Sequence, residues 1–418
     1  MADLNTNFAG IKAPNPFWLA SAPPTNTGYQ VMNAFLAGWG GAVWKTLGQP
    51  IVNVSSRYGA LPYKNNKIMG FNNIELITDR SLEVNLKEMK EVKEKFPNHA
   101  LIASMMFETK EEWHDCIKRC EDIGIDGFEL NYGCPHGMCE RGMGSAVGQN
   151  PDVCERITSW VCEIATKPVI VKLTPNVTDI TKPALAAQRG GAKAVSLINT
   201  INSVTGINLD TMEPNPSVGG YSTHGGYCGP AVKPIALNMV AELNNHPDFH
   251  LPISGIGGVE TWGDAVEFFL MGATSVQVCT AVMHYGFRIV TDLTDGVNQY
   301  LDSHSMEKIT DLRGIAAKKL KKWEELDLNY KIIAHIDSKK CISCQLCYIA
   351  CEDGAHQSIA LQKDSRIPII KEDTCVGCNL CSLVCPVESC ITMVPVQTGK
   401  KKVVWANHPA NKPHMVNR

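Results

Sequence analysis

No Gly-x-Gly-x-x-Gly string occurs in the 418 residues. A doubly wound sheet that binds a dinucleotide carries that turn between its first strand and helix. Its absence argues against such a fold and against a nicotinamide site on this chain. An excess of one charge is missing too. Lys and Arg number 39 against 42 Asp and Glu, a net charge of -3, which leaves no general electrostatic case for nucleic acid or a membrane surface as partner. No apolar run approaches the ~20 residues that span a bilayer. The opening Met1-Ala2-Asp3-Leu4-Asn5 has neither the basic n-region nor the apolar h-region of a secretory signal. A cytoplasmic chain is therefore expected, and in such a chain cysteines serve as metal ligands or catalytic thiols more often than as disulfides. There are 17 of them, and eight fall in two tight clusters between Cys341 and Cys385.

The length suits two or three domains, and 44% hydrophobic with 19% charged residues is ordinary for a chain with a real core. Eight short apolar runs recur, at 16–22, 42–47, 101–106, 127–134, 169–174, 194–200, 252–257 and 275–280. Amphipathic segments of helical period separate most of them, for example 82–96, 110–123 and 152–165. Alternating strand and helix implies a parallel sheet, and eight repeats over this length predict an α/β fold, a (β/α)8 TIM barrel, over 1–305. A doubly wound sheet is the runner-up.

In such a barrel the chemistry sits where the strands end. The fourth run passes from Glu129 through Asn131 to Cys134-Pro135 and opens into a loop with Gly137, Gly142, Gly144 and Gly148. Cys134 lies at that hinge and is read as a proton donor; a buried strand cysteine is the plainer alternative. The other runs end in Ala20-Ser21, Lys45-Thr46, Lys172, Asn199-Thr200, Gly257-Gly258 and Cys279-Thr280. Two lysines closing barrel strands need partners or an anionic ligand. Gly257, Gly258 and Thr280 expose backbone N–H groups at the place where this fold binds phosphate. Together these residues predict a phosphate site, and a barrel with such a site and rim lysines can hold flavin mononucleotide (FMN).

A charged, helical connector is expected over 306–334; its run Lys318-Lys319-Leu320-Lys321-Lys322 reads as a solvated face. The strongest signal follows, over 335–395. Cys341-x-x-Cys344-x-x-Cys347-x-x-x-Cys351 is answered by Cys375-x-x-Cys378-x-x-Cys381-x-x-x-Cys385-Pro386, the pattern of bacterial ferredoxins with two [4Fe-4S] clusters, in which the fourth cysteine of each run ligates the other cluster. One cluster should take Cys341, Cys344, Cys347 and Cys385, the other Cys375, Cys378, Cys381 and Cys351. Two structural zinc sites are the alternative, but zinc does not require this eight-cysteine repeat. Cys390 falls outside the pattern. Residues 396–418 read as an extended tail.

The motifs Asn131-x-x-Cys134-Pro135-His136-Gly137-Met138, Glu140-Arg141-Gly142-Met143-Gly144, Lys172-Leu173-Thr174-Pro175-Asn176 and Asn73-Ile74-Glu75-Leu76-Ile77, with the cysteine runs, resemble dihydropyrimidine dehydrogenase over nearly the whole chain. The resemblance implies the catalytic subunit of the bacterial two-subunit enzyme, which reduces uracil or thymine to the 5,6-dihydropyrimidine. NAD and FAD would then lie on a partner flavoprotein, in a heterotetramer with two copies of each subunit. It also implies that Cys134 protonates C5 while FMN delivers hydride to C6, and that Asn73, Glu75, Ile77, Asn131, Asn199 and Thr200 hold the pyrimidine. Ala20, Ser21, Lys45, Thr46, Lys172, Gly229, Gly257, Gly258, Cys279 and Thr280 would surround FMN. A thiol of ordinary pKa, about 8.5, is mostly protonated at neutral pH, as a donor must be.

Two positions depart from the family. Gly133 stands where a serine is usual, and Cys139 where a glycine is expected; Cys139 reads as an incidental loop residue, and His136 as a loop-shaping residue or proton relay. Dihydroorotate dehydrogenase shares the barrel, FMN and loop cysteine, but should offer a cation for the orotate carboxylate and lack the two-cluster tail. An electron-transfer subunit with an inactive barrel is the remaining alternative.

Overall fold

The computed structural model describes residues 2–135 and 137–409. It divides into two compact units at 319/320. In the first, eight parallel strands close into a barrel: Phe17–Leu19, Gly41–Leu47, Ala100–Met105, Gly127–Asn131, Val169–Lys172, Ala194–Leu197, Ile253–Ile256 and Ser275–Val278. Each predicted run supplies one strand. Every residue of Gly41–Leu47 and Ala100–Met105 is buried, because strands covered on both faces read as continuous apolar runs. The outer helices carry local start signals. Thr109 and Glu112 form a capping box for Lys110–Asp122, and Asn150 caps Pro151–Cys162 with proline in its first turn.

The barrel end opposite the strand C-termini is plugged by the hairpin Thr6–Phe8/Ile11–Ala13, whose Phe8, Ile11 and Ala13 pack with Trp18, Val43, Ile102 and Ile170. Phe8 meets Trp18 edge-on, ring centroids 5.5 Å apart. Helix Leu82–Lys95 turns Leu86, Met89 and Val92 inward together with one polar residue, Asn85. Asn85 is fully buried; its Oδ1 accepts from Trp44 Nε1 at 2.9 Å and its Nδ2 donates to the carbonyls of Arg80 and Ser81. Asn85→Ala strands the buried indole N–H. A loss of about 1–3 kcal/mol is expected, read as a lower urea midpoint of the barrel transition with unchanged slope.

The structure differs from the sequence reading in several places. The fourth strand ends at Asn131, not Cys134: Tyr132 N–H still donates to the Lys172 carbonyl (3.1 Å), but Gly133 N–H turns to the Asn131 side chain (3.2 Å). The sixth and eighth strands end at Leu197 and Val278, so Asn199, Thr200, Cys279 and Thr280 lie just beyond the barrel. The expected connector helix does not form. Three 3-10 turns, Ile309–Leu312, Ala317–Lys319 and Trp323–Glu325, stand in its place. The lysine run has no apolar face to bury, and short helices draw most of their stability from such a face. A four-stranded antiparallel sheet has no counterpart in the sequence reading. Its order is Ile201–Ser203, Gly225–Cys228, Asn66–Asn73, Tyr58–Tyr63.

In the second unit Lys331–Ile336 pairs antiparallel with Ile391–Val396, and Ile359–Leu361 with Pro368–Ile370; helices Leu346–Gly354 and Leu380–Leu383 complete it. The tail is not wholly extended. Trp405–Asn407 forms a turn, with Trp405 6.3 Å from Trp323 ring to ring; residues 410–418 lie outside the described residues. Among the described residues no helix is long and apolar enough to cross a membrane.

Candidate active site and cysteine cradles

One cavity opens among the strand C-termini, the end of a barrel where small-molecule and cofactor sites lie. Every barrel residue proposed from sequence lines it: Ala20, Ser21, Lys45, Thr46, Asn73, Glu75, Ile77, Asn131, Cys134, Lys172, Asn199, Thr200, Gly229, Gly257, Gly258, Cys279 and Thr280. A hydroxyl–amide chain fixes several of them. Ser21 Oγ and Thr46 Oγ1 are 3.1 Å apart, Asn131 Nδ2 donates to Thr46 Oγ1 (3.0 Å), and Asn199 Nδ2 donates to Asn131 Oδ1 (3.1 Å). Asn73 Nδ2 donates to the Gly226 carbonyl at 3.1 Å. This carbonyl belongs to the antiparallel sheet, which also brings Tyr58, Phe71 and Cys228 to the cavity.

Cys134 is buried and packs with Ile77, Met106, Met138 and Met143. The loop beyond it is pinned back. Ser145 N–H and Cys139 Sγ both donate to the Cys134 carbonyl, at 3.0 and 3.2 Å, and Cys139 Sγ lies 2.9 Å from Ser145 Oγ. Cys139 is thus a tether rather than an incidental residue. His136 lies outside the described residues. A Cβ on Gly133 would stand 2.3 Å from Asn199 Cβ and Nδ2, so a serine there would displace Asn199. The family's serine and this placement of Asn199 exclude each other.

Both lysines have acidic partners. Lys45 is ion-paired to Glu75, which also accepts from Tyr58 Oη, and Lys172 Nζ lies 3.8 Å from Glu129 Oε1. Burial, then the Glu75 carboxylate, holds the Tyr58 phenol well above its usual range. Burial lifts the Cys228 thiol to about 11 and, with Cys228 beside it, the Cys279 thiol to about 12. Both remain neutral thiols at physiological pH. Tyr58, Phe71, Cys228, Gln277 and Glu260 were missed from sequence. Alternation within a barrel strand was the available signal for Gln277.

The lining suits a flavin nucleotide. Gly257 and Gly258 have φ of +125° and +75°, and a Cβ on Gly258 would meet Lys233 Cβ at 2.9 Å and the Gly229 carbonyl at 3.0 Å. That cradle bares backbone N–H groups beside Thr280, the first residue of a short helix. Gln277 Oε1, buried and without a hydrogen-bond partner among the described residues, awaits a donor.

In the second unit two cavities carry the thiols. Cys351, Cys375, Cys378 and Cys381 line one; Cys341, Cys344, Cys347, Cys385 and Cys390 line the other. The fourth cysteine of each run thus lies with the other run's triplet. Among the described residues no three His, Cys, Asp or Glu side chains stand close enough to hold one metal ion. This placement of the thiols follows the crossed ligand pattern of a two-cluster ferredoxin, which paired Cys-x-x-Cys zinc sites do not require.

A strand-end cavity in a closed (β/α)8 barrel, with a separate thiol-rich unit, defines a barrel oxidoreductase carrying an iron–sulfur module. Residues 3–301 match the family model described as dihydroorotate dehydrogenase, and 334–393 that of the 4Fe-4S dicluster domain. The chain is 41% identical over 400 residues to the NAD-dependent dihydropyrimidine dehydrogenase subunit PreA of Escherichia coli (strain K12), covering 95% of this chain and 97% of that one. It is 43% identical over 326 residues to the chloroplastic dihydropyrimidine dehydrogenase (NADP(+)) of Arabidopsis thaliana, covering 75% and 76%. The catalytic subunit of dihydroorotate dehydrogenase B (NAD(+)) of Pyrococcus abyssi is 36% identical over 319 residues, covering 75% and 99%. The chain belongs to the dihydropyrimidine dehydrogenase branch of the dihydroorotate dehydrogenase family.

Proposed function

We propose that this chain is the catalytic subunit of an NAD-dependent dihydropyrimidine dehydrogenase, reducing uracil or thymine at the 5,6 double bond in the cytoplasm, a reducing compartment that suits its many thiols. The observation that carries the reading is the meeting of Cys134, Asn73, Asn131, Asn199 and Thr200 in one cavity with Lys45, Lys172 and the Gly257-Gly258 turn. Bound FMN would supply hydride transfer and accept single electrons from two [4Fe-4S] clusters. Ser21, Lys45, Thr46, Lys172, Gly229 and Thr280 would hold it. Uracil alternates carbonyls with N–H groups, and the amides of Asn73, Asn131 and Asn199 can meet both. Cys134 donates the proton to the ring carbon. Its burial among Ile77 and methionines keeps water from competing.

Pairing of Lys45 with Glu75 and of Lys172 with Glu129 offsets the charge of both cavity lysines and so favours a neutral ring over the orotate anion. The test is to reduce the purified protein with dithionite and offer uracil, thymine and orotate. Reoxidation by the first two is expected; reoxidation by orotate alone would move the chain to the dihydroorotate reading, and by none of them to a pure electron carrier.

Electrons would come from NADH through an FAD- and NAD-binding flavoprotein, two copies of each subunit together. The chain alone is expected not to oxidise NADH at a useful rate, and addition of that flavoprotein to restore uracil-dependent turnover. Stopped-flow absorbance at the NADH band checks this; rapid NADH-driven uracil reduction by this chain alone would end the two-subunit reading.

A further inference from the structure

The reaction proposed above gives no task to a buried carboxylate and the amide beside it, Glu129 and Gln277. Glu129, on the fourth barrel strand, is fully buried. Its Oε2 accepts from Ser196 Oγ at 2.8 Å and from Gln277 Nε2 at 2.9 Å. Its Oε1 has no hydrogen-bond partner among the described residues and lies 3.8 Å from Lys172 Nζ. One carboxylate therefore gathers side chains from the fifth, sixth and eighth strands. Such a charge is costly to bury without partners, and a packing role alone would be served by an apolar residue.

Chemistry fixes the orientation of Gln277. A carboxylate only accepts, so the amide must turn its NH2 to Glu129 and leave its carbonyl oxygen unused. Gln277 is 1% exposed, lines the cavity, and its Oε1 has no partner among the described residues. Buried acceptors are rarely left so. The carboxylate thus holds two groups at the cavity: a lysine ammonium and an amide oxygen obliged to accept. The pyrimidine half of a flavin ring complements them, with one N–H flanked by two carbonyls and negative charge when reduced.

We propose that Glu129 is a positioning residue for the flavin: it fixes Gln277 as acceptor for the ring N–H, and its charge, set against Lys172, lowers the flavin's reduction potential. This rests on the FMN reading, and the experiment separates the two. The full-length protein and its Glu129→Gln and Gln277→Met variants are loaded with FMN; flavin stoichiometry, dissociation constant and midpoint potential are measured, with circular dichroism as a check of folding. Glu129→Gln removes the negative charge and leaves Lys172 to stabilise the reduced ring. The reduced-to-oxidised ratio at fixed potential is expected to rise about tenfold, a shift of about +30 mV for a two-electron couple. Gln277→Met keeps the volume and removes the acceptor, so FMN affinity is expected to fall about tenfold.

A purely structural role for Glu129 would leave the potential of the folded variant unchanged. FMN affinity and potential like wild type in both variants overturn the inference while the flavin reading stands. Wild-type protein that takes up no FMN overturns both. Should Glu129→Gln fail to fold, Gln277→Met decides by affinity alone, and undiminished FMN binding there overturns the proposal.

Discussion

Cys134→Ala is expected to slow the single-turnover oxidation of prereduced protein by uracil about 10²- to 10⁴-fold, the usual worth of a positioned general acid. The thiol lines the cavity shared by Asn131, Asn199, Lys45 and Lys172, three residues past the end of its strand, with its carbonyl held by Ser145 and Cys139. The substitution removes the proton donor and leaves those backbone ties in place. Iron and FMN content should stay normal, and uracil should still bind. Cys134→Ser should keep a small part of the rate, because a hydroxyl donates but is a far weaker acid than a thiol. The decisive trace is flavin absorbance after mixing with uracil. If Cys134→Ala reoxidises as fast as wild type, Cys134 is a structural residue and the acid must be sought elsewhere on the loop.

Cys351→Ala is expected to cost about four of the eight irons that two [4Fe-4S] clusters require, and with them most turnover supported by the flavoprotein partner. Cys351, on helix Leu346–Gly354, lines the cavity of Cys375, Cys378 and Cys381, while Cys385 lines that of Cys341, Cys344 and Cys347. The damaged cluster should therefore be the one ligated mainly from the second cysteine run. EPR of the dithionite-reduced variant, compared with Cys378→Ala and Cys344→Ala, tells which signal is lost. A Cys351→Ala spectrum matching that of Cys344→Ala would show that each run keeps its own fourth ligand. The two predictions are separable, because uracil oxidation of protein reduced at the flavin tests Cys134 without the partner.

Much of the site was legible because its signals are local. A cysteine run places three thiols around one space through the turns of its own loop. Lysine, asparagine and glycine at the ends of apolar runs mark the chemical face of a barrel, whichever strands lie between. What escaped reading depends on distant neighbours. Tyr58 and Phe71 lie on strands whose sheet is completed by Gly225–Cys228 and Ile201–Ser203, and the largely exposed run Tyr58–Tyr63, with Pro62 inside it, shows no clean alternation. The lysine-rich connector had the composition of a helix, but composition does not supply a surface to pack on.

By itself the sequence determined the alternation of eight strands with helices, the cysteine spacing and the order of residues along the barrel rim, since each follows from periodicity or from contacts a few residues apart. Only the tertiary structure decided how charge is distributed in the cavity. Glu75 and Glu129 meet Lys45 and Lys172 across gaps of 30 and 43 residues, and Gln277 reaches Glu129 across 148. Closure of the barrel brings these groups to one place, where the low dielectric makes each pairing consequential. The exclusion of a side chain at Gly133 by Asn199 arises the same way, from backbone and side chain meeting only after the fourth and sixth strands take their places in the sheet.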